Sequence, residues 1–152
     1  VARLLQAAEI DPTDVALDIA CATGYDAAVL GRLCLSVVAI DEAQELVAHA
    51  TRTLGELDID NVAVIEGELP KGYPEQGPYD VIYFGGAVAR VPQLILDQLA
   101  DPGRLLAVIT DGRGMGRASI FLKRDGIVSK RVLFDAGTPM LPGFAEETPF
   151  VF

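Results

Sequence analysis

Five short apolar runs, spaced by helix-length segments, constrain this chain more than any single residue does. They are Val15–Ile19, Ser36–Ile40 (SVVAI), Asn61–Ile65 (NVAVI), Tyr79–Phe84 (YDVIYF) and Arg104–Thr110 (RLLAVIT). Strands of a parallel sheet covered on both faces have this near-continuous apolar character. Between them, Tyr25–Cys34 and Glu42–Leu57 place Ala28, Leu30 and Leu33, and Leu46, Val47, Ala50 and Leu54, at helical spacing. Pro92–Leu99 reads as a third helix, with proline near its first turn, where the missing N–H costs nothing. Val1–Glu9 reads as a short helix before the first strand, followed by a turn at Asp11–Asp14. Leu69–Pro78 reads as a loop rich in proline and glycine, and Asp97–Gly103 as a reversal into the fifth strand. The order β-α-β-α-β-β-α-β predicts an α/β fold with an open, mostly parallel sheet and right-handed crossovers.

The last third changes character. Ala118–Arg124 and Ile127–Phe134 flank Asp125-Gly126, a strong two-residue hairpin signal, so the sheet is expected to finish with an antiparallel hairpin. An irregular tail from Thr138 to Phe152 follows. Gly112–Gly116 resembles a phosphate loop only by composition and is read as an inter-strand loop.

The length of 152 residues suits a single domain, 1–152, with one sizeable core. Apolar residues make up 51 % and mean hydropathy is +0.34, yet no apolar run approaches the roughly 18 residues of a membrane span. The surplus therefore belongs inside, and no membrane partner is expected. A net charge of −10 argues against binding a nucleic-acid backbone. Cys21, Cys34 and His49 are too few for a usual zinc site; the cysteines are expected as reduced thiols and His49 as a surface residue. No targeting segment is visible, a cytoplasmic location is expected, and a chain opening on Val1 is expected to be a fragment.

In an open α/β sheet, ligands bind beyond the carboxyl ends of the strands, where strand order reverses. Four segments put small or polar residues there: Asp18 with the turn Ala20–Gly24, Asp41-Glu42, Gly67-Glu68 and Gly85-Gly86. Asp41 follows Ala20 by 21 residues, a distance at which an acid ending the second strand can reach ribose hydroxyls. A dinucleotide turn would carry glycine at the position of Tyr25, and a diphosphate sits poorly among Asp18, Asp41 and Glu68. Acids suit a ligand with ribose hydroxyls, an ammonium group and a sulfonium charge, which is S-adenosylmethionine.

The stretch "LDIACATGY", Leu17 to Tyr25, is similar to the "VLDIGCGTGY" signature of class I methyltransferases, a Rossmann-like fold. "ATGYDAAVLGRL", "NVAVIEGEL", "GPYDVIYFGGAVARVPQLILDQL", "PGRLLAVI" and "LFDAGTPMLPGF" resemble the protein-L-isoaspartate O-methyltransferase family over nearly the whole chain. The resemblance implies transfer of the methyl group of S-adenosylmethionine to the carboxylate of isoaspartyl residues in damaged proteins or peptides. It gives Asp18, Ala20, Cys21, Ala22, Thr23, Gly24 and Tyr25 to the methionine moiety of the cofactor. It gives Asp41, with Glu42, to the ribose, where the family usually has glutamate at the position of Asp41. Glu68 and Leu69 fall near the adenine, and Gly85 and Gly86 at the strand end lining the transfer site. Each of these residues also has a plainer reading as a strand cap or loop spacer. An isoaspartyl carboxylate is ionised at neutral pH, so the transfer needs alignment rather than a general base.

Two departures matter. The family's N-terminal segment, which helps cover the cofactor and bind the peptide, is expected to be missing before Val1, so substrate-binding residues are not assigned. Ala20 and Ala22 replace turn glycines; a positive φ at either would cost about 1–2 kcal/mol, or about five- to thirtyfold in affinity. A degenerate, non-catalytic binding module and a class I methyltransferase for a small molecule are therefore the alternatives.

Overall fold

The computed structural model describes residues 2–111 and 115–144. A short helix α1 (Ala2–Ala7) leads into β1 (Val15–Ile19), α2 (Tyr25–Leu33), β2 (Ser36–Asp41), α3 (Gln44–Glu56) and β3 (Val62–Glu66). After two 3-10 turns, Leu69–Lys71 and Pro74–Gln76, come β4 (Tyr79–Val88), α4 (Gln93–Leu96), β5 (Leu99–Ile109), β6 (Gly116–Arg124) and β7 (Ile127–Ala136). The seven strands form one sheet in the order β3-β2-β1-β4-β5-β6-β7. The first five run parallel, and β6 and β7 are antiparallel. The expected architecture, hairpin included, is what forms. Strand order reverses between β1 and β4, which places the switch point at their carboxyl ends.

Alternation along each strand divides the core into two layers. Ala16, Val37, Val81, Tyr83 and Leu106 face the side packed by Leu4, Leu5 and Ala8 of the α1 segment and Leu30 of α2. Ala39 meets Ala27 of α2 and Ala50 of α3. Leu17, Ile19, Ile40, Ile82, Phe84 and Leu105 face the other side, with Leu69, Ile95 and Phe144. A chain that keeps one crossover hand must change faces when it reverses along a sheet. α2 and α3 accordingly lie on one face and α4 on the other.

Three expectations shift in extent. The helix expected over Pro92–Leu99 contracts to one turn, because Leu99 pairs with Tyr79 and Tyr79 N–H donates to Gln98 O at 2.8 Å. β5 therefore begins at Leu99 and absorbs most of the expected reversal at Asp97–Gly103. β4 runs on past Phe84 to Val88 through a bulge, with Tyr83 opposite Leu106 but Ala87 opposite Val108. The described part of the tail is also ordered by β4. Ala87 N–H donates to Pro139 O, Leu141 N–H to Ala87 O and Ala89 N–H to Phe144 O, while Phe144 meets Phe84 edge-on at 5.3 Å. The remainder of the tail, and residues 112–114 of the glycine loop, lie outside the described residues.

Candidate functional site

The turn between β1 and α2 sits at the switch point, and its own backbone bonds hold its shape. Ala20 and Cys21 N–H both donate to Ile40 O (2.9 and 3.0 Å), and Gly24 N–H donates to Cys21 O (2.8 Å). Asp41 completes it: Oδ2 accepts from Ala22 N–H at 3.0 Å and Oδ1 from Ala43 N–H at 3.2 Å. Within this frame Ala20 has φ 71° and Ala22 φ 46°, both left-handed. Gly24, at φ 93°, has no room for a side chain, since a Cβ would lie 3.0 Å from Ala50 Cα and Cβ. The strain at the two alanines is thus built into the fold by protein contacts, and it is a cost of folding before any ligand is considered.

Asp18 lies on the α2 side of β1, beside Ala39 and Tyr83 on the neighbouring strands. It is completely buried, and neither carboxylate oxygen has a hydrogen-bond partner. Burial, then the nearby negative charges of Asp26 and Asp41, push its pKa well above the ordinary carboxyl value. Tyr83 Oη donates to Asp26 Oδ2 at 3.2 Å, and burial beside Asp26 and Asp18 also raises the Tyr83 pKa. Cys21 is buried against Ala27, Ala39 and Ala50, and burial pushes its thiol up to about 12. Cys34 is likewise buried, with its thiol pushed up to about 11, and the two cysteines are not bonded to each other.

On the far side of β2 an open cleft of about 540 Å³ is lined by Glu42, Glu66, Gly67 and Glu68. Leu69 N–H donates to Glu42 Oε1 at a long 3.4 Å, while Glu68 pairs with Lys71 at 2.5 Å. The Leu69 side chain itself is in the core. Across the switch point, a Cβ on Gly85 would overlap the Ala20 carbonyl oxygen, so glycine there lets β4 approach the turn. Gly86 is roofed by Leu141, 2.5 Å from where a Cβ would stand.

Of the residues singled out from sequence, Asp18, Ala20–Gly24, Asp41 and Gly85 converge at one end of β1, β2 and β4. Glu42 and Glu68 line the adjoining cleft. Tyr25 heads α2 with its side chain 62 % exposed, and Thr23 is half-buried in the turn. Cys21, Leu69 and Gly86 occupy the same region, yet the two side chains pack inward and Gly86 is covered. Gly67 also lines the cleft, while Asp26, Tyr83 and Glu66 were not anticipated. Parity along β1 and β4 puts Tyr83 on the face of Asp18, so that neighbour was readable; the reach of Asp26 from the first turn of α2 was not. His49 is exposed. Among the described residues no cluster could hold a metal ion, and no helix is long and apolar enough to cross a membrane.

Residues 1–135 match the family model for protein-L-isoaspartate(D-aspartate) O-methyltransferase. A protein-L-isoaspartate O-methyltransferase of Koribacter versatilis is 42 % identical over 106 residues, covering 70 % of this chain and 48 % of that one. One from Methanoregula boonei is 41 % identical over 115 residues, covering 76 % and 52 %. The chain thus spans about half the length of the curated relatives it matches. A solved protein-L-isoaspartate O-methyltransferase superposes with TM-score 0.87 at 27 % identity, covering 95 % of this chain and 47 % of that one. A Plasmodium falciparum structure described as a putative enzyme of the same kind, in complex with S-adenosyl-L-homocysteine, superposes with TM-score 0.72 at 22 % identity. It covers 92 % of this chain and 70 % of the other, and bears on the fold alone. The sheet is that of a class I methyltransferase, and with a family match running from the first helix to the last strand, the chain belongs to the protein-L-isoaspartate(D-aspartate) O-methyltransferase family.

Proposed function

We propose that this chain is the cofactor-binding methyltransferase portion of an enzyme that uses S-adenosylmethionine to methylate isoaspartyl carboxylates in damaged proteins, a repair activity expected in the cytoplasm. The observation that carries the reading is the turn at the switch point with the buried, unpartnered Asp18 beneath it. A carboxyl group deprived of every donor is a poor structural element, since burial without a partner costs free energy. It suits a site that receives a cation. When bound, the cofactor supplies a methyl group made electrophilic by its sulfonium.

The chain's own residues have simple tasks. Asp18 lies buried under the turn, where a bound cation would favour its ionised form against the burial that raises its pKa, and the backbone from Ala20 to Tyr25 shapes the floor for the methionine moiety. Glu42 and Glu68 border the cleft that would take the ribose and adenine, and Gly85 lets β4 pack closely against the turn. No residue need act as a base, because the accepting carboxylate is already ionised. Alignment of acceptor and methyl group provides the acceleration.

Isothermal titration with S-adenosylhomocysteine tests the cofactor half: heat and a thermal upshift are expected. Methyl transfer to an isoaspartyl peptide, measured on the chain together with whatever the natural protein adds to it, tests the substrate half. The methyl groups of Ala20 and Ala22, standing where turn glycines are usual, favour one competing reading, a family member retained as a binding module. That reading requires negligible affinity as the chain stands and a sharp gain on Ala20→Gly with Ala22→Gly.

A further inference from the structure

The connection from β3 to β4 contains no α-helix. Parallel strands are usually joined by one, and a helix brings its own ladder of hydrogen bonds. Here residues 67–78 carry only the two 3-10 turns, Leu69–Lys71 and Pro74–Gln76. Single turns of this kind hold themselves weakly. Yet Glu68, at the head of the first, lines the open cleft together with Gly67. The shape of that rim is therefore fixed from outside the turn. The Leu69 side chain, buried in the core, fixes one end.

Gln98 fixes the other. It stands at the junction of α4 and β5, 5 % exposed, and every polar atom of its side-chain amide has a partner. Nε2 donates to Lys71 O at 2.9 Å and to Leu94 O at 3.1 Å, while Oε1 accepts from Tyr73 N–H at 2.9 Å. The bond to Leu94 would suffice to end α4; the other two reach a distant loop and grip it on both sides of Gly72. That glycine has φ 58°, and a Cβ on it would lie 2.6 Å from Gln98 Oε1, so the loop closes directly onto the amide. Lys71, held here by its carbonyl, is also the residue whose ammonium pairs with Glu68 at 2.5 Å. Gln98 is itself anchored, its N–H donating to Ile95 O and its O accepting from Tyr79 N–H.

We propose that Gln98 is a positioning residue for the cofactor cleft: by clasping residues 71–73 it holds the Glu68–Leu69 rim in place before a ligand arrives. The proposal rests on the cofactor reading above, in which that rim adjoins the adenine. Its physical basis is preorganisation. A loop released from the clasp has to be ordered again on binding, and that cost is subtracted from the affinity. The cost falls on the part of the ligand that meets the rim and on no other part.

The test is titration calorimetry with S-adenosylhomocysteine and with S-ribosylhomocysteine, the same ligand without its base, on the unaltered chain and on two variants. Gln98→Met keeps the bulk and removes the bonds. It is expected to bind S-adenosylhomocysteine about tenfold more weakly, since one re-ordered residue costs about that factor. Its affinity for S-ribosylhomocysteine is expected to stay within about twofold of the parent, and hydrogen exchange at the Tyr73 amide to quicken. Gln98→Glu is the conservative variant. In acid, burial keeps the new carboxyl group protonated, so it accepts from Tyr73 N–H and donates to Lys71 O. Once ionised, it meets the Lys71 and Leu94 carbonyls as acceptor against acceptor. Its affinity for S-adenosylhomocysteine, relative to the parent at the same pH, is therefore expected to recover in acid and to fall as pH rises. A folded Gln98→Met with parent affinity, or one that loses both ligands equally, overturns the proposal. Should Gln98→Met not fold, a Gln98→Glu ratio that does not change with pH overturns it. Failure of the unaltered chain to bind either ligand overturns the cofactor reading, and the proposal with it.

Discussion

Asp18 is where the free energy of this molecule is most exposed to pH. An unfolded aspartate titrates near 3.9, and in the fold burial and the charges of Asp26 and Asp41 raise that value. Between the two pKa values the folded state therefore binds the extra proton, and stability falls as pH rises until the folded group has ionised. Asp18→Asn removes the fall. Denaturant unfolding over a pH series should show the variant gaining on the parent as pH rises from about 4, with little difference below. The same substitution should weaken binding of S-adenosylhomocysteine, so stability and affinity move in opposite directions. The two alanines offer a second test. Because protein hydrogen bonds hold Ala20 and Ala22 at positive φ, their strain belongs to folding. Relief of about 1–2 kcal/mol at each is partly offset by about 0.4–1 kcal/mol of unfolded-chain entropy. The double change to glycine should raise stability by about 1 kcal/mol. Any change in ligand affinity then reports crowding by the methyl groups themselves, and a large gain there with unchanged stability would contradict the strain argument.

Elements with their own local chemistry were legible in the sequence, and those shaped by a partner were not. Asp125-Gly126 names its turn: both residues are left-handed, at φ 53° and 76°, as a two-residue hairpin of this kind requires. The first three strands stand within a residue of their apolar runs: β1 and β2 are buried along nearly their whole length, and the edge strand β3 keeps the same apolar character. By contrast, Leu99 closes a helical pattern yet opens β5 because Tyr79 is there to pair, a contact no local window contains. The site divides the same way. Spacing located the acids at the strand ends, but nothing in the sequence said that Asp41 would spend both oxygens on backbone amides. Asp101 is a similar case. Sitting in the irregular start of β5, its carboxylate accepts from Asp125 N–H at 2.9 Å and Gly126 N–H at 2.6 Å, clasping the hairpin turn. Asp101→Ala should cost about 1 kcal/mol, the exposed setting discounting two charge-assisted bonds. For a domain of this size that is a fall of about 2–4 °C in Tm, readable by calorimetry.

Across the whole molecule, the two ends of the sheet are given over to different purposes. The carboxyl ends hold strained backbone, a buried orphan acid and an open cleft, none of which stabilises the fold. The opposite end is tied tightly. Arg104 on β5 donates to Ala8 O at 2.8 Å, Glu9 O at 3.1 Å and Asp14 Oδ2 at 2.6 Å, joining α1, the loop before β1 and the middle of the sheet. Asp14 also accepts from Asp11 N–H at 2.9 Å, closing the turn into β1. The side chains of this pair are 20 % and 11 % exposed, so removal of the cation leaves a largely buried acid without its partner. Breaking a fully buried pair costs about 3–5 kcal/mol; partial exposure brings the expectation for Arg104→Met to about 2–3 kcal/mol. Thermal unfolding should fall by about 4–12 °C accordingly. Because β1 separates the clasp from the turn, and the two share no residue, the loss should be additive with changes at the site. Arg104→Met should therefore leave the affinity for S-adenosylhomocysteine, measured well below the lowered Tm, within about twofold of the parent. A larger loss would mean that the docking of α1 is felt at the turn, and that the two ends of the sheet act as one unit.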